Sequence, residues 1–195
     1  MRALLAAALT VAVAVVAGCG SDDDSPSASS QAAGNATDRA FIAAMIPHHR
    51  GAVEMAALAT TEATSAFVKD LAADITRSQN AEIALMQRLD RQLAAAGVRR
   101  ATLPMNDHEM GLDLDAKALK GAKRFDDRFI EMMIPHHEGA IEMSKVQLRD
   151  GGNAELKRLA REIITAQRRE IEAMRAYSRG TPSSADHMDR GHGGG

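Results

Sequence analysis

The chain has 195 residues, and its 24 Lys and Arg are balanced by 26 Asp and Glu, so the net charge is close to zero. No cluster of basic residues stands out along the sequence, which argues against a nucleic-acid partner. Aromatic residues are scarce and Trp is absent, while Ala, Leu and Met dominate the apolar set. Because these are strong helix formers, the composition favours an all-α fold.

Residues 1–18 have the features of a targeting segment. Arg2 precedes the apolar stretch ALLAAALTVAVAVVA, which is shorter than the roughly 20 residues that a membrane span needs. The string VAGC that follows resembles the bacterial lipoprotein cleavage box, with Cys19 as the lipidated first residue. An ordinary secretory leader is the alternative. We expect a protein attached through Cys19 to the extracytoplasmic side of the cell membrane.

Cys19 is the only cysteine. Lipidation would consume its thiol, so the mature chain would hold neither a disulfide nor a free thiolate. A metal site would have to use His, Met, carboxylate or backbone oxygen. Residues 19–37 and 181–195 are rich in small and polar residues and predict a flexible tether and a disordered tail. The tail contains His187, Met188 and His192.

An internal repeat with a constant offset of 88 residues lies between these ends. MIPHHRGAVEM at 45–55 returns as MIPHHEGAIEM at 133–143. The repeat predicts a duplicated unit within the domain 38–180. The units are 38–97 and 126–180, and 98–125 connect them.

Each unit reads as two helices. Thr37 or Asp38 is the predicted N-cap of the first helix in unit one, and Asp126 is its counterpart in unit two. Two antiparallel hairpins bury their apolar stripes best as a four-helix bundle.

Helical spacing places His48 on the same apolar seam as Met45 and Met55, with His49 beside it. The second unit repeats this pattern with Met133, His136, His137 and Met143. On each following helix, a Gln and a Glu interrupt an apolar seam: Gln79 and Glu82 in unit one, Gln167 and Glu170 in unit two. Buried polar groups need partners, so we expect these side chains to contact and orient the histidines.

Pro47 and Pro135 stand directly before the histidine pairs. A proline inside a helix removes one hydrogen bond and kinks the helix, whereas a proline at the first helical position is tolerated. Both arrangements remain open from the sequence. Gly51 and Gly139 follow one turn later and predict a close approach of another segment.

Imidazole and thioether ligands without thiolate favour copper, as Cu⁺ or Cu²⁺, and zinc is the less favoured alternative. The connector adds Met105, His108 and Met110, at positions where no apolar core is predicted that would bury a methionine. Against a metal role, a buried histidine can be a satisfied core residue, and a methionine can simply fill space. A di-iron oxidase would need Glu three residues before each histidine, where this chain has Met45 and Met133.

The twin MIPHH-x-GA-x-EM strings, each followed by a helix with Q-x-x-E-I-x-x-M or a close variant, resemble the bacterial domain-of-unknown-function family 305 over residues 38–180. This resemblance implies a ferritin-like four-helix bundle that is often exported or lipid-anchored, and some members bind copper outside the cytoplasm. The residues that match the family motif are Met45, His48, His49 and Met55, then Met133, His136, His137 and Met143. The connector with Met105, His108 and Met110 also resembles the family pattern.

The sequence therefore predicts a membrane-anchored, extracytoplasmic copper-binding protein that sequesters copper or passes it to a delivery partner. An interaction module of the cell envelope, with His–Glu contacts that are purely structural, is the alternative. A ferritin-like metalloenzyme is less favoured, and no catalytic residue is predicted.

Overall fold

A computed structural model describes residues 34–180, which form four α-helices and one short 3-10 helix and include no strand. The helices are α1 (Ala36–Glu62), α2 (Ala66–Ala95), α3 (Phe125–Asp150) and α4 (Ala154–Gly180), with the 3-10 helix Ala116–Leu119 between α2 and α3. The predicted all-α class is confirmed. The predicted leader, Cys19, most of the tether and the tail with His187, Met188 and His192 lie outside the described residues.

The core consists of two apolar clusters that the 88-residue offset relates to each other. Cluster A forms where the first half of α1 meets the second half of α3, and cluster B forms at the opposite ends of these helices. The repeated core methionines divide between them: Met45, Met86 and Met143 in cluster A, and Met55, Met133 and Met174 in cluster B. Helices α1 and α3 are therefore antiparallel and cross at the centre, while α2 and α4 pack on the outside.

The N-caps of the first helix in each unit differ from the prediction. Asn35 caps α1: its side chain accepts a hydrogen bond from the Asp38 amide, and the Asp38 carboxylate accepts one from the Asn35 amide. Thr37 and Asp38 thus lie inside the first turn, and α1 begins within the segment assigned to the tether. The N-cap of α3 is Arg124, which makes no capping hydrogen bond from its side chain, and not Asp126.

Asp38 and Asp126 instead bind the turn of the opposite hairpin. Asp126 on α3 accepts hydrogen bonds from the Thr64 amide at 3.0 Å and from the Ser65 amide at 2.9 Å, where α2 begins. Asp38 on α1 accepts hydrogen bonds from Gly152 and from the next amide, where α4 begins. A negative charge at a helix N-terminus is favourable because it complements the helix dipole. Each carboxylate therefore joins the two halves of the duplicated fold.

Replacing Asp126 with alanine should lower the free energy of unfolding by about 1–2 kcal/mol, because the Thr64 and Ser65 amides lose their acceptor. Burial alone would raise the pKa of Asp126, but the hydrogen bonds from Thr64 and Ser65 outweigh it and lower the pKa below its usual value. Asp127→Ala is the matched control, because the ion pair of Asp127 within residues 34–180 is with the half-exposed Arg124, and its loss should cost about 0.5 kcal/mol or less. Urea denaturation measures both variants, and equal losses would contradict the assignment.

Both prolines lie inside continuous helices. Pro47 is within α1 and Pro135 is within α3, so neither helix restarts at its proline. Each proline leaves the carbonyl four residues earlier, at Ala43 and Glu131, without its helical donor. None of the helices within residues 34–180 carries an apolar stretch long enough to cross a bilayer.

Candidate metal centre

His48 and His136 meet at the centre of the bundle, where α1 crosses α3. Their ring centroids are 3.7 Å apart, and the two residues are 0% and 2% exposed. The ring N–H of His48 at Nε2 donates to the backbone carbonyl of His136 over 2.8 Å. The equivalent histidines of the two units therefore converge on one place between clusters A and B.

The second histidine of each pair binds a glutamate of its own unit. His49 Nε2 lies 2.6 Å from Glu82 Oε2, and His137 Nε2 lies 2.6 Å from Glu170 Oε2. Both rings are buried, while the side chains of the glutamates are 18% and 19% exposed. The predicted His–Glu contacts are present in both units and connect the buried layer of imidazoles to the surface of the bundle.

Gln79 and Gln167 behave differently from the glutamates. Both are 3% exposed, and the amide oxygen of each has no hydrogen-bond partner among the described residues. The expected contact between these glutamines and the histidines is therefore not made through the oxygen. Each amide oxygen is therefore a buried acceptor that no described residue satisfies.

The hydrogen bonds of the histidines fix which ring nitrogen carries the proton. Carbonyl and carboxylate oxygens accept, so Nε2 is the donor in His48, His49 and His137, and a neutral ring then has its lone pair on Nδ1. The Nδ1 atoms of these three rings, and that of His136, are buried and have no partner. An unsatisfied buried polar atom costs about 1–3 kcal/mol. Three rings thus have an unused lone pair on a buried Nδ1, and the Nδ1 of His136 lacks a partner as well, which makes these atoms candidate metal ligands.

Burial keeps the central pair uncharged. Desolvation, followed by the nearby charge of His49, lowers the pKa of His48 to about 3. Desolvation, with the charge of His48 next in importance, holds the pKa of His136 well below its usual value. Both rings are therefore neutral at physiological pH, which is the state in which an imidazole binds a metal.

The methionines of the repeated motif flank this histidine layer on both sides. Met45 stands one turn before His48 and belongs to cluster A, and its equivalent Met133 stands one turn before His136 and belongs to cluster B. Met143 joins cluster A and Met55 joins cluster B from the opposite helix. These four are at most 1% exposed. Within residues 34–180, no three His, Cys, Asp or Glu side chains form a cluster that could hold a metal, so a central site would need the thioethers.

The connector contributes a segment that we call the strap, residues 103–112. Contrary to the expectation that no core demands methionine there, Met110 is only 9% exposed and belongs to cluster A, and Met105 packs against that cluster. His108 differs: its side chain is 88% exposed, and Nδ1 lies 2.9 Å from Asp113 Oδ2. The hydrogen bond that the His108 ring donates to Asp113 raises the pKa of His108. The structure thus separates His108 from the two methionines.

The strap lies directly on α3 beside the central pair. A Cβ added at Gly111 would be 3.2 Å from the His136 Cα, and one added at Gly139 would collide with the Met110 carbonyl. Gly111 also has a φ of 68°, which favours glycine. The two glycines therefore allow backbone to touch backbone, and the strap covers α3 from Pro135 to Gly139.

A groove of about 300 Å³ runs between the strap and α1. Pro47, Ala43 and Ala44 line one side, and Met105 and Met110 line the other. The groove reaches the residue directly before His48. Two methionine side chains therefore line a groove that extends to the residue before His48.

The protein is a four-helix bundle made of two copies of a helical hairpin, with a layer of histidines between two methionine-rich clusters. The family described as "Domain of unknown function (DUF305)" matches residues 18–90 and 38–178, and the chain belongs to this family. The family resemblance drawn from the sequence is thereby confirmed.

Solved structures of similar proteins include a copper-bound one. CopM in the Cu(I)-bound form is 33% identical, with a TM-score of 0.62 over 73% of this chain and 95% of that chain. CopM in the Cu(II)-bound form is 32% identical, with a TM-score of 0.64 over 73% and 95% of the two chains. A DUF305 fragment from Deinococcus radiodurans is 28% identical, with a TM-score of 0.61 over 72% and 94%. None of the curated proteins compared with the chain matches it.

Proposed function

We propose that this protein binds copper in the histidine layer of the bundle and holds or transfers it outside the cytoplasm. The observation that carries the proposal is the set of buried Nδ1 atoms without partners, centred on His48 and His136. The similarity to CopM, which has been solved with Cu(I) and with Cu(II), supports copper as the ion.

The side chains around the layer fit copper in both oxidation states. Neutral imidazoles are suitable ligands for Cu(I) and Cu(II), and thioethers favour Cu(I). His48 and His136 would supply the central nitrogen ligands, with Met45 and Met133 one turn away on either side. Glu82 and Glu170 would hold His49 and His137 in orientation through their Nε2 atoms, a role that raises the basicity of the nitrogen facing the metal.

The groove beside the strap provides a route for the ion. Met105 and Met110 line it and would collect copper before it reaches the imidazoles. His108 of the strap and the adjacent Asp113 form an exposed pair, which would bind copper before Met105 and Met110 do. The motif methionines Met55 and Met143 are more deeply buried than the methionines of the strap. Met55 belongs to cluster B, and Met143 belongs to cluster A.

The location is part of the proposal. Lipidation at Cys19 would place the domain on the extracytoplasmic face of the membrane, where copper arrives from outside. The motivating feature is the leader with its VAGC string. A delivery partner would then receive copper from the exposed end of the groove.

Copper titration of the purified mature protein, in reducing and in oxidising buffer, tests the proposal. We expect binding tighter than micromolar in at least one oxidation state, and a loss of about tenfold or more in affinity for the variant His48→Gln/His136→Gln. His108→Gln is the matched control, because that ring is exposed and lies outside the layer. Weaker binding than micromolar in both buffers would refute the copper role.

An interaction module without a metal role is the second candidate. The observation that favours it is the absence, within residues 34–180, of three clustered His, Cys, Asp or Glu side chains. In that case His48→Gln/His136→Gln would change the stability of the domain but leave the copper tolerance of the producing cells intact. Growth on graded copper separates the two functions.

A further inference from the structure

The solvent-facing side of α4 carries a one-sided array of arginines. Helical spacing gathers them on the face opposite the buried residues, although they form no run in the sequence. The exposed arginines of this face are Arg158, Arg161, Arg168, Arg169, Arg175 and Arg179. A cluster of basic residues that does not stand out along the sequence is therefore present on the surface of this helix.

The duplicated unit shows that the fold does not require this charge. Subtracting 88 gives the equivalent positions on α2, which are Asp70, Ala73, Asn80, Ala81, Gln87 and Arg91. Six positive charges on α4 thus correspond to one positive and one negative charge on α2. Since both helices pack in the same way, the difference belongs to the surface and not to the core.

Acidic residues, among them the exposed Glu172 on the same face, offset part of the array. Arg158 pairs with Glu155 and Glu162, and Arg175 pairs with Glu138. Arg161 and Arg169 line surface depressions that also include the carboxylates Glu155 and Glu162. Guanidinium groups bind phosphate oxygens in a bidentate manner.

The path of the chain places this face near the predicted anchor. Asn35, close to the start of the described residues, donates to the carbonyl of Asp150, and a Cβ on Gly152 would be 3.4 Å from the Asn35 amide. The chain therefore joins the domain beside the N-terminal end of α4. The 15 residues from Cys19 to residue 33 reach at most about 50 Å when extended, whereas α4 is about 40 Å long. The whole arginine face is within reach of a membrane that holds Cys19.

We propose that the arginine face of α4 docks the domain onto the anionic phospholipid headgroups of the membrane that anchors it. This inference rests on the lipid anchor of the proposed function. Docking would lay α4 along the membrane surface and leave the opposite side of the bundle turned away from the lipid. Electrostatic attraction of this kind falls as salt rises.

The test uses the full-length lipidated protein, reconstituted into vesicles of phosphatidylcholine alone or of phosphatidylcholine mixed with phosphatidylglycerol. Because lipid occupies the only native cysteine, Thr165→Cys on the arginine face can be labelled with an environment-sensitive fluorophore. Arg77→Cys, at the equivalent position of α2, is the matched control. We expect a blue shift at position 165 in the anionic vesicles only, reversed by salt, and no shift at position 77. Equal emission at position 165 in both vesicle types would overturn the proposal.

Charge variants sharpen the test. Replacing Arg161, Arg168 and Arg169 together with glutamine should lower the ratio of docked to undocked domain about a hundredfold, or about fivefold for each arginine. The control Lys69→Gln/Arg91→Gln removes exposed positive charges from α2 and should leave the ratio unchanged. Equal losses per charge removed in the two sets of variants would show an effect of net charge alone and overturn the assignment to α4.

The remaining outcomes separate the anchor from the docking. Protein that stays with both vesicle types while the label at position 165 does not respond would refute the docking alone. Protein that is lost from both would refute the anchor, and the docking with it. A label that is already shielded in phosphatidylcholine, and is released when Asp22, Asp23 and Asp24 are changed to asparagine, would assign the face to the chain's own acidic segment and overturn the lipid proposal.

Discussion

Lowering the pH from 6.5 to about 5 is expected to destabilise the folded domain by about 3 kcal/mol, because His48 and His136 stay neutral in the bundle but take up protons in the unfolded chain. Burial lowers both pKa values from the usual 6.5, that of His48 to about 3. Between the folded and the unfolded pKa the unfolded chain binds more protons. The contribution of the two neutral rings to the free energy of unfolding is therefore present above pH 6.5. It falls as the pH drops, by up to about 1.4 kcal/mol per pH unit for each ring.

Urea denaturation at a series of pH values measures this dependence. In His48→Gln/His136→Gln the loss between pH 6.5 and 5 should largely disappear, whatever the variant's stability at neutral pH. The effects of Asp126 and Asp90 fall at more acidic pH, because hydrogen bonds to Asp126, and the hydrogen bond between Asp90 and Arg39, lower their pKa values from 3.8. Subtracting the profile of the double variant removes the contribution of the other carboxylates. Parallel pH profiles for the wild type and the double variant would show that the two rings are not buried as a neutral pair.

Most of the fold could be predicted because its determinants are local and occur twice. Apolar residues at steps of three and four define each buried seam, and positions such as Phe41, Met45 and Ala52 are all fully buried. The turn at 151–153 and the four helices follow from the same pattern. The sequence also indicated that the glutamates would meet histidines, because a polar residue on an apolar seam needs a partner, and His49–Glu82 is such a contact.

Features that depend on distant parts of the chain could not be predicted. Asp38 resembles an N-cap in sequence, yet its carboxylate binds amides at Gly152 and the next residue, more than 100 positions away. Local spacing carries no information about such partners. The sequence indicates no core that would bury a methionine in the connector, yet Met110 is buried because the strap folds back onto cluster A.

Comparing the two repeats would have revealed more than either repeat alone. The arginines of α4 are visible at helical spacing, and the replacement of five of the six at the equivalent positions of α2 shows that the bundle does not require them. The buried Ser144 and Gln147 of α3 similarly correspond to Ala56 and Ala59 of α1. Gln147 donates to Asp38 over 2.6 Å, a contact that its alanine equivalent cannot make. Differences between the duplicated units therefore indicate residues that have a role other than packing the shared core.

Gly51 and Gly139 offer the sharpest such comparison, since they are equivalent in sequence but differ in their surroundings. A methyl group at Gly139 would collide with the Met110 carbonyl and come within 2.7 Å of the Gly111 amide. Both neighbours are backbone atoms, which cannot rotate away. At Gly51 the nearest atom is His136 Nε2 at 3.4 Å, which is an ordinary contact. Gly139→Ala should therefore lift the strap, whereas Gly51→Ala should leave it in place.

We expect Gly139→Ala to weaken the docking of the strap by about 2–3 kcal/mol, which corresponds to a rise of about 30-fold to 150-fold in its opening. Hydrogen exchange at the amides of Met110, Gly111 and Leu112 measures this opening, because each donates a hydrogen bond within the strap. Gly51→Ala should leave those amides unchanged and, through its better helix propensity, stabilise α1 by up to about 1 kcal/mol. If Gly139→Ala exchanges no faster than Gly51→Ala at these amides, the strap does not rest on α3. If it does exchange faster, copper should also reach His48 and His136 sooner, because the strap is the segment that covers the central pair.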